Sequence, residues 1–181
     1  MLELFDNFAN FFRIFMSRGV KKVAILQSNY IPWKGYFDLI NMVDEFILFD
    51  DAKYTKNDWR NRNLIKTKDG LKWITIPVYF KGMSDQRIRE AKVSNPGWAG
   101  KHWKTISQSY AGAGYFKEYR GVFEPLYLEC AEEFLSRINY MFIEAICGVL
   151  GIRARLSWTC WSKYSRLRTL CSLPGRWPRN T

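Results

Sequence analysis

Two groups of residues in the first third of the chain have the chemistry of a binding or catalytic site. One is Gln27, Asn29, Tyr30, Gly35 and Tyr36; the other is Asp50, Asp51, Tyr54, Lys56, Trp59, Arg60, Asn61, Arg62 and Asn63. Amides bond hydroxyls and carboxylates through paired donors and acceptors. Aromatic faces stack on sugars or bases, and Arg and Lys hold phosphates. Adjacent carboxylates such as Asp50 and Asp51 bind a divalent metal or raise one another's pKa, which suits acid–base chemistry. Together these types describe a site for a charged, polyhydroxylated ligand. Plainer uses exist for each. Asn29 and Pro32 fit the start of a helix, Asp50 and Asp51 the end of a strand, and Lys56, Arg60 and Arg62 a solvated surface. What favours a site is the number of amides, since no structural role demands so many in one place.

The elements that must carry these residues can be read from the pattern around them. Residues 23–26 (Val-Ala-Ile-Leu) form an apolar run suited to a strand buried on both faces. Polar residues 27–29 follow, and Pro32 then suits the first turn of a helix. Trp33, Tyr36, Phe37, Leu39, Ile40 and Val43 recur at helical spacing. Residues 45–49 form a second buried strand that ends in Asp50 and Asp51. The short helical connection makes a βαβ unit with parallel strands, so both polar groups should emerge at one sheet edge. Open α/β sheets bind ligands at that edge, beside a helix N-terminus that favours anions.

Further along, residues 63–67 and 71–78 flank Lys68-Asp69-Gly70 and predict a hairpin, with Pro77 at a sheet edge. Residues 79–96 read as irregular, with a short strand near 88–93. Helices are expected over 98–110, around Pro125 at 119–127, and over 128–150, the last ended by Gly151. The fold class is α/β: a Rossmann-like parallel start, a β-hairpin insertion and a helical C-terminal half. His102, beside Trp103 on a helix, reads as structural.

Composition narrows the function classes. The formal charge of +11 suggests nucleic acid until it is located. Residues 152–181 hold seven of the 28 Lys and Arg and none of the 17 acids, which leaves +4 on the rest. Nucleic acid is therefore not the expected partner of the folded body. The four cysteines show no C-x-x-C pair and His102 is the sole histidine, so a Cys/His zinc site is not expected. Reduced, cytosolic thiols are the plainer reading. No apolar run reaches the ~20 residues of a membrane helix. The opening 20 residues are Phe-rich, with Phe5, Phe8, Phe12 and Phe15 on one helical face; Glu3 and Asp6 argue against a signal peptide. They read as an N-terminal extension, either docked as a helix or upstream of a start near Met16. From residue 153 the chain obeys no period and reads as an irregular basic tail outside the core.

The segments Val23-Ala-Ile-Leu-Gln-Ser-Asn-Tyr-Ile-Pro-Trp-Lys-Gly-Tyr-Phe, Phe49-Asp-Asp, Trp59-Arg-Asn-Arg-Asn and Thr75-Ile-Pro-Val together resemble the WbqC-like proteins of bacterial surface-polysaccharide gene clusters. The likeness runs from residue 21 to residue 152. It implies a cytoplasmic bacterial protein of O-antigen or related glycan assembly, with transfer of an aminoacyl group such as glycine onto an amino sugar. Family members start near this chain's Lys21 and continue past Gly151 with further α/β sequence; residues 153–181 look unlike that continuation, as a frameshifted reading would. The opening unit is also similar to nucleotidylyltransferases, whose H-x-G-H motif grips phosphates. Here Trp33-Lys-Gly-Tyr36 takes that place without either histidine, and Lys34 could supply only a point charge.

The expected function is thus a transferase acting on a nucleotide-linked amino sugar. Asp50 and Asp51 are its catalytic candidates, and Gln27, Asn29, Tyr30, Gly35, Tyr36, Lys56, Trp59, Asn61, Arg62 and Asn63 are expected to bind the substrate, a nucleotide-linked sugar or another small anionic molecule. Neither cofactor nor metal is legible. Two other classes stay open: a non-catalytic sugar-nucleotide binding accessory, and a single-strand nucleic-acid binder drawn from the basic and aromatic interleaving at 53–62.

Overall fold

The computed structural model describes residues 21–80, 82 and 85–159. The expected Phe-rich helix and residues 160–181 of the tail lie outside them. β1 (Val23–Leu26) leads through α1 (Lys34–Asn41) into β2 (Glu45–Leu48), and the two strands pair in parallel with Val23 opposite Glu45. β2 is buried along its whole length because its other edge is also covered. That cover is a correction to the sequence reading. Residues from 153 onward were expected to be irregular and outside the core; instead β5 (Arg155–Trp158) completes a sheet of order β1-β2-β5, parallel to β2. Its alternation was hidden by the Arg and Ser residues on either side of Leu156 and Trp158.

The hairpin forms as β3 (Arg62–Thr67) and β4 (Gly70–Thr75) in a separate two-stranded sheet. Gly70 at φ 108° provides the backbone conformation that the tight connection requires. After a 3₁₀ turn (Ile88–Glu90) come α2 (Trp98–Tyr110), α3 (Phe116–Leu128) and α4 (Leu135–Val149). The helix expected over 128–150 therefore starts only at Leu135, and Leu128 ends α3. Residues 129–134 have good helix propensity, with no Gly or Pro to mark a break. Tertiary pairing takes them: the Val93 N–H donates to the Glu133 carbonyl at 2.8 Å and the Leu135 N–H to the Ala91 carbonyl at 2.9 Å. The strand expected near 88–93 is in turn reduced to the 3₁₀ turn and isolated bridges, Val78 with Val93 and Lys92 with Phe134.

α4 is shared by two apolar cores. Leu135, Ile138 and Phe142 pack with Tyr30, Ile74, Ile76, Trp98, Trp103 and Tyr127 under the hairpin. Ile143 and Cys147 pack with Tyr36, Phe37, Ile40, Phe46 and Leu48 against the sheet. Gly151, at φ 69°, then turns the chain out of α4. Its N–H donates to the Gly148 carbonyl and the Ile152 N–H to the Cys147 carbonyl, a Schellman closure that aims the backbone at β5.

In the first core a hydrogen-bonded chain has a fixed direction. His102 Nε2 lies 3.1 Å from the Thr75 carbonyl, which can only accept, so Nε2 carries the proton. Nδ1 is then the acceptor for the Tyr30 hydroxyl at 3.0 Å, and Tyr30 accepts from the Tyr127 hydroxyl at 2.9 Å. Burial pulls the His102 pKa from 6.5 to about 4, with the Thr75 hydrogen bond opposing. The unfolded chain is therefore protonated first as pH falls. The contribution of His102 to stability is complete above about pH 6.5 and is lost as pH falls towards about 4, a swing of roughly 3 kcal/mol. Urea titrations of the protein and of His102→Gln at pH 7 and pH 4 should show their difference shrinking by that order; a constant difference would contradict it.

The strand beyond Gly151 yields a second expectation. A chain ending at Gly151 exposes the second edge of β2 and removes Trp158, whose ring stacks on Tyr140 at 4.4 Å. The loss should be at least ~3 kcal/mol, the size of one large core truncation. Thermal melts of the two chains decide it: melting temperatures within a few degrees would mean that β5 adds little.

Candidate functional site

Parallel pairing brings the polar residues that follow β1 and β2 to one edge, as the βαβ reading requires. Asp50 is the centre of the arrangement. Its carboxylate accepts from the Ser28 N–H at 2.9 Å and from the Ser136 hydroxyl in the first turn of α4. Ser136 accepts in turn from Trp158 Nε1 at 3.1 Å. Asn139, one turn further along α4, donates to the Ser28 hydroxyl and the Arg60 carbonyl, both at 3.0 Å. Ends of β1, β2, β5, the 60s loop and α4 are thereby tied into one network. Burial raises the Asp50 pKa, opposed by the bonds from Ser136 and Ser28 and by the nearby Arg60 charge.

Asp51 has different partners. Its side chain is only 5% exposed and pairs with Arg89 at 3.0 Å and Arg87 at 3.5 Å, while Thr159 donates to it at 2.7 Å. Asp51 is therefore not open to solvent. Nor do the two carboxylates share partners as a metal pair would. Among the described residues, no group of three or more His, Cys, Asp and Glu gathers to hold a metal ion.

The amides divide by role. Asn61 is buried: Nδ2 donates to the Ile76 carbonyl at 2.8 Å, and the Ile76 N–H returns to the Asn61 carbonyl at 2.7 Å. Asn63 Nδ2 donates to the carbonyls of Tyr30 and Ile31. These bonds pin a loop in which Ile31 sits at φ 48°, costly for a β-branched residue. Gln27 and Asn29 are half-buried at the end of β1. Asn29 Oδ1, Asn61 Oδ1, Asn139 Oδ1 and Arg60 Nε are buried without a hydrogen-bond partner among the described residues. In Asn61 and Asn139 the amide orientation is fixed, because Nδ2 faces carbonyls.

The aromatics divide too. Tyr30 and Tyr54 belong to the hairpin core, so neither can stack on a ligand. Tyr36 is buried as well, its hydroxyl donating to the Gln27 carbonyl at 3.0 Å; burial raises its pKa, as does the Asp50 charge, while Arg60 acts the other way. Arg60 therefore lies near both Asp50 and Tyr36, with Nη1 held by Asp58 at 2.7 Å. Gly35 is the second residue of α1, and a Cβ there would lie 1.8 Å from the Trp33 ring, so only Gly lets that indole fold over the helix start. Lys56 and Trp59 are exposed, and Arg62 lies over the Trp73 ring.

Sequence reasoning missed Ser28, Ser136, Asn139, Arg87, Arg89 and Thr159. Ser136 and Asn139 were detectable as polar residues at buried phases of α4. Arg87 and Arg89 gave no signal, because residues 79–96 have no period. The two thiols described, Cys130 and Cys147, are free, and burial holds the Cys147 pKa up at about 11. No helix among the described residues is long and apolar enough to cross a membrane.

Fold and site together define an α/β protein that gathers polar side chains at the carboxyl ends of a small parallel sheet. A model of the WbqC-like protein family matches residues 27–171, and the chain belongs to that family. The match passes residue 152, where the resemblance was expected to stop, and takes in β5. "Uncharacterized protein Rv1507c" of Mycobacterium tuberculosis is 51% identical over 158 residues, which cover 84% of this chain and 68% of that protein. No solved structure matches the chain at a significant level.

Ser136 offers a direct test of the network. Ser136→Ala leaves the buried Asp50 carboxylate short of one donor and should cost roughly 1.5–3 kcal/mol, the size of a hydrogen bond to a charged group. Denaturant unfolding measures it; a loss below 0.5 kcal/mol, ordinary for a surface change, would place Asp50's support elsewhere.

Proposed function

We propose that the protein is a cytoplasmic transferase of bacterial surface-polysaccharide (O-antigen) assembly, acting on a nucleotide-linked amino sugar. The observation that carries this reading is the convergence of Gln27, Asn29, Asp50 and Asp51 at the carboxyl edge of β1 and β2. Ligands of open α/β sheets bind at that edge. The side-chain amides of the half-buried Gln27 and Asn29 at that edge suit the hydroxyls and amine of a sugar. Family membership supports the glycan context. Asp50 is too enclosed to exchange protons with a substrate and serves as scaffold. Asp51 is the better base, since Arg87 and Arg89 are themselves part-exposed and can turn from it to the substrate's phosphates. In aminoacyl transfer, the sugar amine attacks the carbonyl carbon of an activated aminoacyl ester or thioester. The amide C–N bond forms as the ester bond breaks, Asp51 takes the amine proton, and the departing alcohol or thiol recovers one.

One feature favours a second reading, a sugar-nucleotide binding accessory without chemistry of its own: both carboxylates are engaged by protein donors. Calorimetric titration with a panel of UDP- and dTDP-sugars separates the possibilities. Under the transferase reading, Asp51→Asn abolishes transfer and leaves binding within a few-fold, while Arg89→Ala weakens binding by roughly 1.5–3 kcal/mol. Binding with no turnover in the unaltered protein favours the accessory. If no member of the panel binds, both readings fail.

A further inference from the structure

The exposed face of the hairpin has chemistry that the polar edge does not use. Antiparallel pairing of Leu64 with Trp73 and Lys66 with Leu71 puts Arg62, Leu64, Lys66, Leu71 and Trp73 on one side. The opposite side sends Ile65 and Ile74 into the core, which fixes the ribbon in place. On the open side, Trp59 and Trp73 stand 50% and 45% exposed, their ring centroids 5.3 Å apart and their planes at 49°. The Arg62 guanidinium lies 4.3 Å from the Trp73 ring centroid. Two half-exposed, mutually tilted indoles with a guanidinium over one of them form an electron-rich surface edged by cations.

We infer that this Trp59–Trp73–Arg62 surface is a stacking platform for the nucleobase of a phosphorylated nucleotide. The inference rests on the nucleotide-linked substrate proposed above and assigns its base to residues outside the polar edge. Charge complementarity selects a nucleotide over a neutral glycan. Arg62 and Lys66 share the face with the indoles, and Lys56 is exposed on the preceding loop, whereas Asp58 is already paired with Arg60. Two indoles take one or two bases, which suits a mononucleotide better than a long polymer. The platform also borders the polar edge: the Tyr30 N–H donates to the Trp59 carbonyl at 3.0 Å, and Asn63 holds the carbonyls of Tyr30 and Ile31. Arg62 accordingly acts by stacking and charge beside the base.

Titrating the full chain with UDP, dTDP, ADP and a short oligo-dT, followed by tryptophan emission and calorimetry, tests the inference. The nucleotides should quench emission and bind with mild salt dependence. Trp73→Leu, which keeps an apolar side chain but no ring face, should weaken binding about ten-fold, and Trp73→Phe should restore most of it. Circular dichroism melts identify any variant that fails to fold, in which case Trp59→Leu provides the same reading from the loop side. Unchanged nucleotide affinity in folded leucine variants would overturn the platform and leave the proposed function standing. Absence of binding by all nucleotides and sugar nucleotides would overturn both. Preferential, steeply salt-dependent binding of oligo-dT would replace the platform with a nucleic-acid surface.

Discussion

A buried carboxylate organises this domain. Asp50 lies two residues beyond β2, receives the backbone of the β1 loop through Ser28, and receives the first turn of α4 through Ser136. Its own carbonyl accepts from the Arg89 N–H at 3.0 Å, which docks the 3₁₀ turn. A charge so enclosed is costly unless hydrogen-bonded, and these donors are what make its burial tolerable. The consequence is geometric: the mutual arrangement of sheet, helix α4 and the loop carrying Arg87 and Arg89 is the one in which the Asp50 carboxylate and carbonyl keep these donors. Side chains at the strand ends inherit that precision.

The same constraint explains why the two apolar cores behave as parts of one body. α4 turns Leu135, Ile138 and Phe142 towards the hairpin core and Ile143 and Cys147 towards the sheet core. Between those stripes lie Ser136 and Asn139, the residues that reach Asp50, Ser28 and the Arg60 carbonyl. Packing sets the distance between the cores, and the polar contacts set their rotation. The hairpin, with its separate sheet, is thereby held beside the edge of β1 and β2 without sharing a strand with them.

The βαβ start, the hairpin and α2 were legible because each is written in local signals: an apolar run, a Pro at a helix start, a Lys-Asp-Gly turn, a 3.6-residue period. The break at 129–134 was not, because its cause is a bond to residues 40 positions upstream, Val93 to Glu133, and local propensity points the other way. β5 was obscured by Arg and Ser residues around Leu156 and Trp158, whose apolar character matters only once β2 is present as a partner. At the candidate site, spacing identified the edge and the loop that faces it. It could not distinguish Asn63, which props a strained loop, from Asn29, whose oxygen is left open. Burial separates such twins, and burial is a property of the folded chain.

The central position of β2 has a consequence for how the protein is made. Its partners are β1, about twenty residues earlier, and β5, roughly a hundred residues later. At a synthesis rate of about 5–20 residues per second, the β5 edge of β2 waits on the order of 5–20 s for its neighbour. During that interval the ribosome carries a nascent chain with an apolar strand, Glu-Phe-Ile-Leu, open along one side. The growing polypeptide must keep that edge from foreign strands until Gly151 has emerged and swung the final segment home.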